Sequence, residues 1–245
     1  MVLTVDQLKL DKSLVDLDSS EIIIVVHYPD FEDFIPYFLD SILSKDEQAR
    51  AVKYIVERAR NNFIITRGLL RLLLARCLRC VPKDIVFEKN DYGKPFIKKS
   101  PLFFNVSHSG DYCVIALSKQ AEIGIDIEVN NTAIDKAAII NRFFSNHEKE
   151  WIFSQEEDRL SDLFYRTWTA KEAVCKAIGC GLWRASNLFS VIASEDQFFV
   201  KAELGLGHLN SHNYAVSKLD LIKGYWCSVA QIDCFSDIKV EFFRL

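Results

Sequence analysis

An α+β fold of two similar subdomains is predicted for this chain by three observations. Strand-like and helix-like patterns follow the same order in each half: strands, one or two long helices, then further strands. The long helical pattern stops before Pro82 in the first half and at Gly179 and Gly181 in the second, as helices commonly do at such residues. No Gly/Ser linker or low-complexity tract marks another boundary. The expected subdomains are residues 1–122 and 123–245, related by a pseudo-two-fold, with any site at their junction.

Taken in order, Glu21–Tyr28 reads as a buried strand ending at Pro29. Ser44 and Glu47 form a capping box for a helix running to about Cys80, with a break near Asn61-Asn62. Ile85–Glu88 is a short strand before a turn at Asp91-Tyr92-Gly93-Lys94-Pro95. Strands Leu102–Ser107 and Asp111–Ser118 follow, joined by His108-Ser109-Gly110. Ile123–Val129 alternates strictly between apolar and small or acidic residues. Helices are expected over Thr132–Phe143, Asn146–Phe153 and Asp158–Ile178, then strands near 188–193, 197–203, 214–219, 225–232 and 238–243.

With 49% hydrophobic and 26% charged residues, the composition is that of a globular protein with a proper core. The longest aliphatic run, Ile22–Val26, is far short of the ~20 residues a membrane helix needs. The N-terminus lacks a basic region before an apolar core, so a cytoplasmic protein is expected. Seven cysteines, an odd number scattered through apolar stretches, suit reduced thiols. Cys77 and Cys80 form a CxxC without a second pair of zinc-binding spacing. The net charge of −4 argues against general nucleic-acid affinity. Residues 45–99 nevertheless carry 14 Lys/Arg against 6 Asp/Glu, which suggests an anionic ligand or an acidic partner.

The chemistry centres on carboxylates. Asp126 and Glu128 share one strand face, roughly 7 Å apart, and repel by roughly 2.4 kcal/mol at an effective dielectric near 20. A divalent ion relieves that repulsion if a third carboxylate arrives, and Glu172 is the candidate. Alone, Glu172 reads as a surface i,i+4 partner of Lys176. Arg67 lies in an Arg-rich helix, Lys94 in a constrained turn, and Ser107 and His108 at a strand end; all four are candidate phosphate contacts. There is no Walker A sequence, dinucleotide fingerprint or GxSxG elbow.

Taken together, Gly93-Lys94-Pro95, Phe104–Gly110, Ile123–Glu128, Arg142-Phe143-Phe144-Ser145 and Trp168-x-x-Lys171-Glu172-Ala173-x-x-Lys176 resemble the Sfp-type 4′-phosphopantetheinyl transferases over roughly residues 44–182. The resemblance implies transfer of the phosphopantetheine arm of coenzyme A to a serine of an acyl or peptidyl carrier protein, releasing adenosine 3′,5′-bisphosphate. It implies Mg²⁺ on Asp126, Glu128 and Glu172. Coenzyme A would be held by Arg67, Tyr92, Gly93, Lys94, Pro95, Ser107, His108, Lys171 and Lys176. Lys176 would also neutralise charge in the reaction, and either Glu172 or Glu148 would be the base. A monomer is expected. Glu47 and Arg50 stand where relatives tend to place two lysines, and a glutamate there would repel a phosphate. A metal-dependent phosphodiesterase and a non-catalytic anion-binding module are the competing readings.

Overall fold

The computed structural model describes residues 20–181, 189–193, 198–202, 214–233 and 237–243. The first half runs β1 (Ser20–His27), a helical stretch through Ile42 that includes α1 (Ile35–Tyr37), α2 (Lys45–Val52) and α3 (Glu57–Leu78). A small hairpin, β2 (Glu88–Lys89) with β3 (Pro95–Phe96), precedes β4 (Phe103–Ser109) and β5 (Tyr112–Ser118). The second half repeats this order: β6 (Ile123–Val129), α4 (Lys136–Phe143), α5 (Asn146–Phe153), α6 (Leu160–Ile178), the hairpin β7 (Phe189–Ala193) with β8 (Phe198–Ala202), then β9 (Tyr214–Leu219) and β10 (Tyr225–Ile232). The last strand, β11 (Asp237–Phe243), returns to the first half and lies parallel to β1.

Besides the two hairpins, the described strands form two larger sheets, in the orders β11-β1-β5-β4 and β6-β10-β9. β1 is apolar on both faces because both faces are covered. Ile22, Ile24 and Val26 pack with Ile64, Ile65 and Leu69 of α3. Ile23 and Val25 meet Ile123, Ile125 and Ile127 of β6 and Val229 of β10. Each such fully buried aliphatic side chain stabilises the fold by about 1.5–3 kcal/mol. The order of layers is therefore α3, first sheet, second sheet, α6.

The repeat reaches individual side chains. Ser44 and Ser145 each N-cap a short helix in a complete capping box, with Glu47 and Glu148 as the reciprocal partners. Each glutamate then takes a buried cation from the following long helix, Arg71 at 2.5 Å in the first half and Lys171 at 2.8 Å in the second.

Four local expectations shift, the first being that the helix expected from Thr132 starts only at Lys136, capped by Asp135. The helical break falls between Val52 and Glu57, where β-branched Val52, Ile55 and Val56 cluster, and Asn61-Asn62 lies inside α3. The short strand expected over Ile85–Glu88 begins only at Glu88. His108 and Ser109 continue β4, and the chain reverses at Gly110, whose φ is 56°. Among the described residues no helix is long and apolar enough to cross a membrane.

Candidate active site

The junction is built where β4 meets β6, and its bonds run from side chains rather than through a strand ladder. Asn105, Ser107 and Ser109 alternate along one face of β4. Asn105 accepts from the Ile125 N–H at 3.0 Å, and Ser109 accepts from the Val129 N–H at 3.1 Å. Ser107 donates to Asp126 Oδ1 at 2.7 Å, and Ser109 donates to Glu128 Oε2 at 2.9 Å. Neither Asn105 nor Ser109 stood out in the sequence, although the polar alternation around Ser107 was the available signal.

α6 brings the remaining charges. Gly124 makes this possible, since a Cβ there would sit 2.0 Å from the Ala173 carbonyl oxygen and 2.3 Å from the Ala177 nitrogen. Lys176 Nζ donates to Asp126 Oδ1 at 2.6 Å and to Ser107 Oγ at 2.9 Å. Burial opposes its charge, but Asp126, Glu172 and Glu128 more than offset this and hold the ammonium above its usual range. Glu172 is pushed up to about 7, first by burial and then by Asp126, with Glu128 adding and Lys176 opposing. Glu128 is raised by burial and by Asp126, against hydrogen bonds from Ser109 and Trp168.

Three carboxylates thus share one ammonium. Asp126 Oδ2 is buried with no hydrogen-bond partner, an uncompensated acceptor. Oxygen donors, excess negative charge and an orphaned carboxylate oxygen fit a hard divalent cation. Among the described residues no group of three or more Asp, Glu, His or Cys side chains is placed to hold a metal ion, because Asp126 is turned toward Lys176 and Ser107.

The opposite face of β4 opens on a cavity of about 450 Å³ whose walls include Arg50, Arg67, Thr66, Pro95, Val106 and His108. Arg67 stacks on Phe87 at 4.8 Å, and its buried Nη1 has no hydrogen-bond partner. His108 is held below its ordinary pKa by partial desolvation and by Lys176. Glu47 pairs with Arg67 at 3.3 Å and with Arg71 at 2.5 Å, so its charge is matched where a repulsive one was expected. Arg50, over the Phe63 ring at 4.9 Å, joins the same wall.

The 90–95 turn is fastened elsewhere. Asn90 accepts from the Lys94 N–H at 2.9 Å and donates to the Gly179 carbonyl at 2.7 Å. Lys94 pairs with Glu122 and donates to the Ala177 carbonyl, at the C-terminal end of α6. Gly93 supplies the turn's positive φ of 88°, and Tyr92 is exposed at its tip. Of this turn, the cavity wall takes Pro95 and not Lys94.

Glu148 and Lys171 lie away from all of this. Both have 0% exposure. Glu148 accepts from Lys171, from the Ser145 N–H and from the Val191 N–H, and Lys171 also donates to the Phe189 carbonyl. Closed to solvent, they tie α5, α6 and β7 together.

Two family models match this chain. A model described as 4′-phosphopantetheinyl transferase, N-terminal, matches residues 29–120, and one described as 4′-phosphopantetheinyl transferase superfamily matches residues 122–230. The 4′-phosphopantetheinyl transferase gsp of Aneurinibacillus migulanus is 31% identical over 195 residues, 80% of this chain and 78% of that one. The chain belongs to the 4′-phosphopantetheinyl transferase family. Also similar are the transferase Sfp of Bacillus subtilis, 32% identical over 65% of this chain and 75% of its own, and a Synechocystis protein named for the same activity, 38% identical over 64% of each. The two matched stretches meet between β5 and β6.

Proposed function

We propose that this family member transfers the 4′-phosphopantetheine group of coenzyme A to a serine of an acyl or peptidyl carrier protein, releasing adenosine 3′,5′-bisphosphate. The observation that carries the reading is the Ser107–Asp126–Lys176 cluster, with Glu172 pushed up to about 7 beside it, backing onto the Arg67 and His108 cavity. Phosphoryl transfer asks a protein mainly for alignment and charge neutralisation, and this junction offers both.

Arg50, Arg67 and His108 bind the phosphates of the nucleotide end, using the unpartnered Arg67 Nη1. Lys176, kept cationic by its three carboxylate neighbours, balances charge on the transferred phosphate. The carrier serine oxygen forms a bond to phosphorus as the bond to the departing adenosine 3′,5′-bisphosphate oxygen breaks. The serine proton passes to Glu172 as general base. The saturated burial of Glu148 supports giving that role to Glu172. Asp126, Glu128 and Glu172 would hold Mg²⁺, which when bound would neutralise the pyrophosphate. A monomer is the working form, since both walls of the site come from one chain.

Incubating an apo carrier protein with coenzyme A, Mg²⁺ and the protein, followed by intact mass measurement, tests the reading. A gain of the phosphopantetheine mass is expected. Hydrolysis of coenzyme A without that gain would favour a phosphodiesterase, and no turnover would leave only binding.

A further inference from the structure

The C-terminal cap of α6 pairs two thiols that the reaction does not use. The helix ends at Gly179, φ 75°, and the Cys180 N–H reaches back to the Cys175 carbonyl at 3.0 Å. A closure of this kind commonly brings its first and last side chains into contact. Here both are free cysteines, and each acts on the other's titration. Cys175 is buried, and Cys180 is half-buried with the Lys94 ammonium nearby. The neighbouring Cys175 side chain, outweighing burial and helped by Lys94, holds the Cys180 thiol below its usual pKa.

The first half supplies an internal comparison. α3 ends in the same way, with Arg79 at φ 54° and the Cys80 N–H on the Ala75 carbonyl at 3.0 Å. The position equivalent to Cys175 there is a methyl group. The cap geometry belongs to the repeat, whereas the pair of sulfurs belongs to α6 alone.

We propose that Cys175 and Cys180 form a thiol–disulfide exchange site that accepts low-molecular-weight disulfides and closes to an intramolecular bridge across the α6 cap. The Cys180 thiolate attacks one sulfur of the incoming disulfide and expels the other half as a thiolate. Cys175 gives its proton to that leaving thiolate, attacks the Cys180 sulfur and expels the second half. Two protein thiols are oxidised, and one small disulfide is reduced to two thiols. Cys180 is the entry point because it is the more accessible; Cys175 needs only to reach Cys180. The bridge fastens the helix end that holds the 90–95 turn, through the Ala177 and Gly179 carbonyls.

The test uses the full chain, reduced and then exposed to oxidised glutathione, quenched in acid, alkylated and mapped by mass spectrometry. The native protein should lose two hydrogen atoms at a Cys175–Cys180 linkage, with no retained adduct, and dithiothreitol should restore both thiols. Cys175→Ser should instead strand glutathione on Cys180. A lasting adduct on Cys180 with Cys175 still free in the native protein would overturn the proposal. So would two unreacted thiols at the cap while exposed Cys80 takes the adduct.

Discussion

Lys171 donates to both carboxylate oxygens of Glu148 at 2.8 Å, with neither side chain exposed. Its counterpart in the first half is Arg71 on Glu47. A pair that recurs in both halves, each time on a capping-box glutamate, is part of the repeating architecture. Its presence in the half that lacks the carboxylate cluster separates it from the chemistry.

The first prediction follows from that pair. Glu148→Ala leaves a buried ammonium without its counter-charge and should destabilise the fold by about 3–5 kcal/mol. Replacing both partners, as Glu148→Met with Lys171→Met, should recover much of that loss. Urea denaturation of the parent and the two variants measures it, and transfer activity per folded molecule should stay within a few-fold of the parent. Loss of turnover in a double variant of native stability would return Glu148 to the reaction.

Much of this was legible in the sequence, and for stated reasons. Ile123–Val129 and Asn146–Phe153 have the bounds that alternation and the Ser145 cap require. The later strands fall within a residue or so of their expected limits, because short apolar runs between polar breaks leave little choice. In the sequence, Ser109-Gly110 makes His108 read as a turn residue, whereas Asn105, Ser107 and Ser109 form one polar face of β4. Their polarity serves the backbone and carboxylates of β6, a contact between elements that no local pattern announces. The burial of Glu148 was hidden for the same reason, since its capping role was local but its bonds to Lys171 and Val191 were not.

Asp126→Asn and Glu172→Gln should each lower kcat by on the order of 10²–10⁴-fold, the usual contribution of a positioned acid or base. Circular dichroism should remain native, because neither side chain belongs to the apolar core. Near-normal turnover in either variant would sink the assignment of the carboxylate cluster.

The pH dependence of stability has a defined sign. The Glu172 carboxyl is raised from 4.5 to about 7, so between those values the folded protein holds a proton that the unfolded chain has released. Its contribution is fully present below about 4.5 and is lost as pH rises through about 7. Without Mg²⁺, thermal midpoints of the parent should therefore fall more steeply across that window than those of Glu172→Gln. Added Mg²⁺ should flatten the parent's slope, because metal and proton compete for the same oxygens. A parent and variant with parallel profiles would contradict the cluster's electrostatics.

Binding and turnover should separate at the cavity. Arg67→Ala and His108→Ala remove donors from the nucleotide side without touching the Ser107, Asp126 and Lys176 contacts. A charge-assisted hydrogen bond is worth about 1.5–3 kcal/mol, so KM for coenzyme A should rise roughly ten- to a hundredfold in the Arg67 variant, with a smaller rise for His108. kcat should change little. A fall in kcat at unchanged KM would give His108 a part in the chemical step.

Gly124→Ala is the sharpest test of how the fold positions the site. The added methyl would meet backbone atoms of α6 at 2.0 and 2.3 Å, and a helix backbone cannot rotate aside as a side chain can. α6 must move off β6, carrying Glu172 and Lys176 away from Asp126. Overpacking typically costs about 1–3 kcal/mol, so the variant should fold with a lowered denaturation midpoint. Its transfer activity should fall further than that stability loss explains, because the 2.6 Å contact between Lys176 and Asp126 depends on the close approach. The Arg67 and His108 cavity lies on the other face of β4 and should keep its affinity for coenzyme A, measurable by calorimetry. Loss of binding and turnover in equal proportion would mean that the strand and helix do not set the carboxylate cluster independently of the cavity.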